Sequence, residues 1–233
     1  MDKILVLNWK MQPERLNSCF NFFKKLNKIV DKKYRKKIYV APPSIYAINL
    51  KRKFKDYNIG LQNAFYEKTG AFTGEISLSM IKKNGLDFVI LGHSERRVIF
   101  KESLNLIFKK IKESLNLKIK TIYCFEKISE IKKLYKTDEF KNFINQNLKN
   151  YLYLAYEPRS AISTFGGKEI KIEKVKKVKK IVNELFPGIK LLYGGSINEK
   201  NILNYIELDG FLIGIKSFKI NFVKKILKFI FHQ

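Results

Sequence analysis

A carboxylate followed at once by proline and then by small residues and paired glycines is suited to a general base beside a closing loop. Glu157-Pro158, followed by Arg159 to Lys168, has that order. Pro158 biases Glu157 toward an extended backbone and stops a helix there. The loop after it carries hydroxyls and Gly166-Gly167, whose backbone amides an anion could use. A carboxylate so placed can take a proton from carbon. The same composition also serves an ordinary solvated turn, so this stretch alone does not decide. Two further groups stand just beyond apolar runs: His93 in Gly92-His93-Ser94-Glu95-Arg96-Arg97, and Lys10 in Asn8-Trp9-Lys10. A neutral imidazole can donate to a developing oxyanion, and an ammonium supplies fixed positive charge. A single histidine beyond a strand is more often structural, and the combination with Glu157 and Lys10 is what gives it weight.

These side chains must be held by the apolar runs that precede them. Lys3–Leu7, Ile38–Ala41, Ile59–Leu61, Phe88–Leu91, Thr121–Cys124, Leu152–Tyr156, Leu191–Tyr193 and Phe211–Ile213 read as eight strands. Helical patterns separate most of them. The first is expected to start at Pro13-Glu14 and shows Leu16, Cys19, Phe20, Phe23, Leu26 and Val30 at three- and four-residue spacing. Gly70 to Glu75 reads as a projecting loop before a helix ending near Gly85. Regular alternation within 233 residues predicts one α/β domain, residues 1–233, folded as a closed (β/α)8 barrel, which typically takes about 250 residues. Functional residues in such a barrel lie at the C-terminal strand ends, where Asn8, Lys10, His93, Glu157, Gly194 and Gly214 all fall.

Composition narrows the partners. Cys19 and Cys124 are too few and too far apart for a disulfide framework or a zinc site, and both read as core residues in a reducing, cytoplasmic setting. No run approaches the roughly 20 apolar residues that span a bilayer. The formal charge of +26 invites a nucleic-acid reading, but the lysines are spread over every helical pattern instead of gathered in one patch, so no specific nucleic-acid partner is expected. The amphipathic segment Phe222 to Ile230 could suit a membrane surface but reads better as the final helix packing on the sheet. His232 is expected to be solvated.

Taken together, Asn8-Trp9-Lys10-Met11, Ala41-Pro42-Pro43, Gln62-Asn63, Gly70-Ala71-Phe72-Thr73-Gly74-Glu75, Gly92 to Arg97, Ala155-Tyr156-Glu157-Pro158, Tyr193-Gly194-Gly195-Ser196 and Asp209-Gly210-Phe211 resemble the triosephosphate isomerase family in order and spacing, over essentially the whole chain. The resemblance implies interconversion of dihydroxyacetone phosphate and glyceraldehyde 3-phosphate, a glycolytic and gluconeogenic step, without cofactor or metal. It implies Glu157 as base, His93 as neutral donor, Lys10 as fixed charge, Glu95 as the other site carboxylate, and Asn8 as a substrate contact; this family is itself a standard illustration of such pKa tuning and lid closure. Ser163, Gly194, Gly195, Ser196, Gly214 and Ile215 would bind the phosphate. Tyr193 and Ser196 would hydrogen-bond the closed lid, and Thr73 would reach into the neighbouring subunit of a homodimer. Departures are concentrated in two places. Arg159-Ser160 replaces the lid's usual Val-Trp hinge, and Phe165-Gly166-Gly167 lengthens the loop. Ile215 replaces a glycine in the last phosphate turn, where a β-branched residue resists positive φ. Phe125-Glu126-Lys127 disturbs the usual Gly-Glu after Cys124, with a short connection to the sixth strand. A barrel that binds phosphometabolites with weakened turnover is the alternative reading.

Overall fold

A computed structural model describes residues 3–137, 140 and 148–231. Eight parallel strands follow one another around a closed barrel: β1 (Ile4–Asn8), β2 (Ile38–Ala41), β3 (Asn58–Leu61), β4 (Phe88–Leu91), β5 (Lys120–Phe125), β6 (Leu152–Tyr156), β7 (Lys190–Tyr193) and β8 (Gly210–Ile213). β8 closes on β1, with Ile4 opposite Gly210 and Leu7 opposite Ile213. This is the (β/α)8 barrel that the alternation predicts, with strand limits within about two residues of those read from sequence.

The pleat explains why the runs read as continuously apolar. Ile4 and Val6 of β1 join Tyr39, Phe88, Ile122, Cys124 and Ala155 in a lumen cluster, while Leu5 and Leu7 face a second cluster shared with the helices. Both faces are buried, so the runs need no alternating polar face. The helix Leu16–Ile29 buries Cys19, Phe22, Phe23 and Leu26 and packs on the last helix, Ile220–Phe231. That last helix buries Val223, Ile226, Leu227, Ile230 and Phe231 against the barrel, each large side chain worth about 1.5–3 kcal/mol. Its apolar face is thus occupied. Among the described residues no helix is long and apolar enough to cross a membrane.

One local expectation shifts. The first helix begins at Leu16 because Arg15 is extended (φ −125°, ψ 135°), and the preceding loop is tied elsewhere: the Glu14 carbonyl accepts from the Tyr46 hydroxyl. The helix before Gly85 is Leu78–Lys83, capped by the Ser77 hydroxyl accepting from the Met80 N–H at 3.1 Å. Part of the connection between β5 and β6 lies outside the described residues, as does His232.

Candidate active site

The C-terminal ends of β1, β4 and β6 carry Lys10, His93 and Glu157 into one region. Trp9 is buried beside Phe22 and Phe218, with ring centroids 5.0 and 4.9 Å away, which anchors the chain just past β1. Lys10 then takes φ +54°, a conformation unfavourable for a residue with a Cβ. Its N–H donates to Asn8 Oδ1 at 3.0 Å, and its carbonyl accepts from Gln62 Nε2 at 2.7 Å. So held, the ammonium pairs with the Glu95 carboxylate. Thr164 in the loop after β6 donates its hydroxyl to the same carboxylate oxygen at 2.8 Å. Burial raises the Glu95 carboxyl, but Lys10 and the other donors outweigh it and hold it below the usual carboxylate range.

His93 ends the turn after β4, and the Glu95 N–H donates to its Nδ1 at 3.2 Å. A backbone N–H has only a proton to give, so Nδ1 offers a lone pair and Nε2 carries the ring proton of a neutral imidazole. Nε2 stands 3.6 Å from Glu157 Oε1. Glu157 is 1% exposed; its Oε2 accepts from the Ser94 N–H at 3.2 Å, while Oε1 is buried without a hydrogen-bond partner. Beneath it lies Cys124, whose thiol is raised well above its ordinary range by burial and then by the Glu157 charge. That thiol stays protonated and adds no second anion. Asn8, Lys10, His93 and Glu95 line one cavity of about 480 Å3, which extends outward along Met11, Asn63, Glu75 and Phe100.

A second carboxylate network braces this side. Glu102 Oε1 accepts from Lys110 Nζ at 2.8 Å and from Arg96 Nε at 2.9 Å, with Lys110 only 1% exposed. Burial raises Glu102, but these cations outweigh it and hold its pKa below the ordinary 4.5. A depressed folded-state pKa stabilises the fold fully above the ordinary value and loses that contribution as pH falls through the folded one. Glu102→Gln should therefore cost about 3 kcal/mol at neutral pH, by stranding Lys110, and flatten the acid limb of stability. Urea melts from pH 7 to pH 3 check this; parallel curves for both proteins would contradict it.

The glycines at the mouth are required by contact. A Cβ at Gly194 would lie 2.6 Å from Glu157 Cγ and 3.1 Å from Oε1. Gly194→Ala should displace the carboxylate and lower kcat by about 100-fold while the thermal melt stays near that of the parent chain; an unchanged kcat would contradict this. Gly195 lies over the Tyr193 hydroxyl, where a Cβ would come within 2.4 Å. A Cβ at Gly214 would stand 3.0 Å from Lys10 Cε, so the bare backbone lets the ammonium lie against it.

The two rewritten segments differ from expectation. The loop after β6 forms two short turns, Arg159–Ala161 and Ser163–Phe165, with Lys168 N–H donating to the Ser160 carbonyl at 2.7 Å and positive φ at Gly166 and Gly167. The side chain of Ser163 lies outside the described ones. Ser196 reaches this loop through its N–H, which donates to the Ala161 carbonyl at 2.8 Å. Tyr193, expected to bond the loop when closed, is stacked on Tyr205 at 4.2 Å. Ile215 escapes the φ conflict by opening a helical turn, Ile215–Phe218, with its side chain 52% exposed. Thr73 is exposed at the tip of its projecting loop. Sequence reasoning did not single out Ser94, Gln62 or Thr164 for roles. Ser94 and Gln62 lie inside the strings quoted above, and Thr164 is one of the hydroxyls of the loop after Glu157, with nothing to set it apart from Ser160 and Ser163.

The family model described as triosephosphate isomerase matches residues 3–230. Curated proteins of that name are similar across nearly the whole chain: one from Dictyoglomus turgidum is 34% identical over 242 residues, covering 93% of this chain and 95% of the relative. One from Aquifex aeolicus is 33% identical with coverage of 93% and 95%, and one from Orientia tsutsugamushi (strain Boryong) is 32% identical with coverage of 98% for both chains.

Proposed function

The chain belongs to the triosephosphate isomerase family, and from that premise we propose that it interconverts dihydroxyacetone phosphate and D-glyceraldehyde 3-phosphate through an enediolate. Glu157 leaves the Ser94 N–H and takes a proton from the carbon beside the carbonyl. The electron pair of that C–H bond becomes the C=C bond of the enediolate as the carbonyl π pair moves onto oxygen; the hydroxyl proton then passes between the two oxygens while the same carboxyl returns a proton to the neighbouring carbon. His93 Nε2–H donates to the oxygens on which charge develops, with the Lys10 ammonium nearby, so the donors are in place before charge appears. The observation that carries this reading is the Glu95 N–H on His93 Nδ1, which supports a ring proton on Nε2, 3.6 Å from the base. Asn8, Gly194, Gly195, Ser196, Gly214 and Ile215 are the proposed substrate contacts, with Ser163 among them in the loop that covers the site. Steady-state assays in both directions test the activity; a folded chain that binds substrate analogues without turning over would favour the binding-protein reading instead.

We also infer a homodimer from the barrel mouth. Met11, Ile45, Ile99 and Phe100 are 94%, 74%, 55% and 61% exposed, a set of large apolar side chains unusual for a lone protomer. The cavity running from His93 past Asn63 and Phe100 leads to the same face, where Thr73 of a second copy would enter. Phe100→Asp should weaken self-association at least tenfold, as measured by sedimentation across a concentration series. A parent chain that remains monomeric at micromolar concentration and fully active would contradict the dimer.

A further inference from the structure

A second groove, of about 780 Å3, lies behind the loop that follows Glu157 and outside the catalytic cavity. Its walls are apolar and come from three separate places: Ile128 after β5, Pro158 and Phe165 from the two ends of the loop, and Val178 and Ile181 from the helix Ile172–Leu185. Lys127, Lys174 and Lys177 stand on its edge. Among the described residues only the fourth basic group there, Arg159, has a carboxylate partner, Glu126 at 3.1 Å. An apolar body of drug size with a rim of unpaired cations is complementary to one class of ligand, an amphipathic anion.

We propose that this groove is a ligand site for a small aromatic or aliphatic anion, whose occupation holds the loop over Glu157 in one position. This effect on turnover rests on the isomerase reading, whereas the binding itself does not. Coupling follows from the walls. Pro158 adjoins the base, and Arg159, Ser160 and Phe165 belong to the loop itself, so an occupant touching them and the fixed helix ties the loop to the barrel. The loop must open for substrate to enter and product to leave, so a ligand that prefers the observed arrangement lowers kcat without competing for the substrate cavity.

The test uses 8-anilinonaphthalene-1-sulfonate, an aromatic sulfonate, titrated into the full chain and followed by fluorescence. Saturable binding is expected, weakened about tenfold in Lys174→Glu/Lys177→Glu, whose kcat without the probe should equal that of the parent. In turnover assays the probe should lower kcat with little change in KM, and this inhibition should fade in the same variant. Ile181→Arg, which fills the groove from the half-buried side of the helix, provides a second check. Binding indifferent to both variants, binding displaced by a triose phosphate, or binding without any change in kcat would each overturn the proposal. A chain without isomerase activity that still binds the probe in a lysine-dependent way would overturn the function reading and leave the site standing.

Discussion

Glu157→Gln is expected to lower kcat by about 10³-fold with little change in KM. The amide keeps the volume and one acceptor oxygen, so the Ser94 N–H retains a partner and the barrel is not expected to loosen. What is lost is the carboxylate proposed to accept the proton from carbon. Cys124 cannot substitute, because burial, the larger cause of its raised pKa, persists in the variant and keeps the thiol protonated. The parent and variant should give the same far-ultraviolet spectrum and nearly the same melt, so a collapse in kcat reports chemistry. A variant within about tenfold of the parent would show that the proton goes elsewhere.

His93→Gln is the second large effect, a loss of about 10²–10³-fold in kcat. Glutamine can still donate from its amide, but its carbonyl and amide groups cannot both accept the Glu95 N–H and place a donor where Nε2 stands. Imidazole geometry links the two. The effect should fall on kcat more than on KM, since the hydrogen bond to oxygen strengthens only as charge develops. Equal losses in both variants, with no further loss on combining them, would indicate that base and donor act as a unit.

Much of this could be read from the chain. Phe88–Leu91 and Leu152–Tyr156 are legible as strands because a barrel buries both faces, and an apolar run has no competing interpretation as an amphipathic helix of useful length. Lys10, His93 and Glu157 are legible because each stands just past such a run. The contacts that define their state were not. The Glu95 N–H on His93 and the Ser94 N–H on Glu157 are backbone donors, which any residue type would supply. The left-handed backbone at Lys10 carries no sequence mark, since lysine has no preference for it and the conformation is imposed by Asn8 and Gln62. Ile215 misled for a related reason: a conflict with positive φ holds only if the turn is kept, and the chain forms a helical turn there instead. Thr164 reaches Glu95 only because the lengthened loop folds into two tight turns, a path fixed by its own hydrogen bonds.

The most direct measurement follows dihydroxyacetone phosphate in deuterated water by proton NMR, with the parent chain and with Glu157→Gln at equal concentration. The expected result is catalytic formation of glyceraldehyde 3-phosphate carrying solvent deuterium at the carbon that receives the returned proton, lost by about 10³-fold in the variant. Conversion and deuterium uptake undiminished in the variant, or a folded parent chain that yields no product, would contradict proton transfer through Glu157.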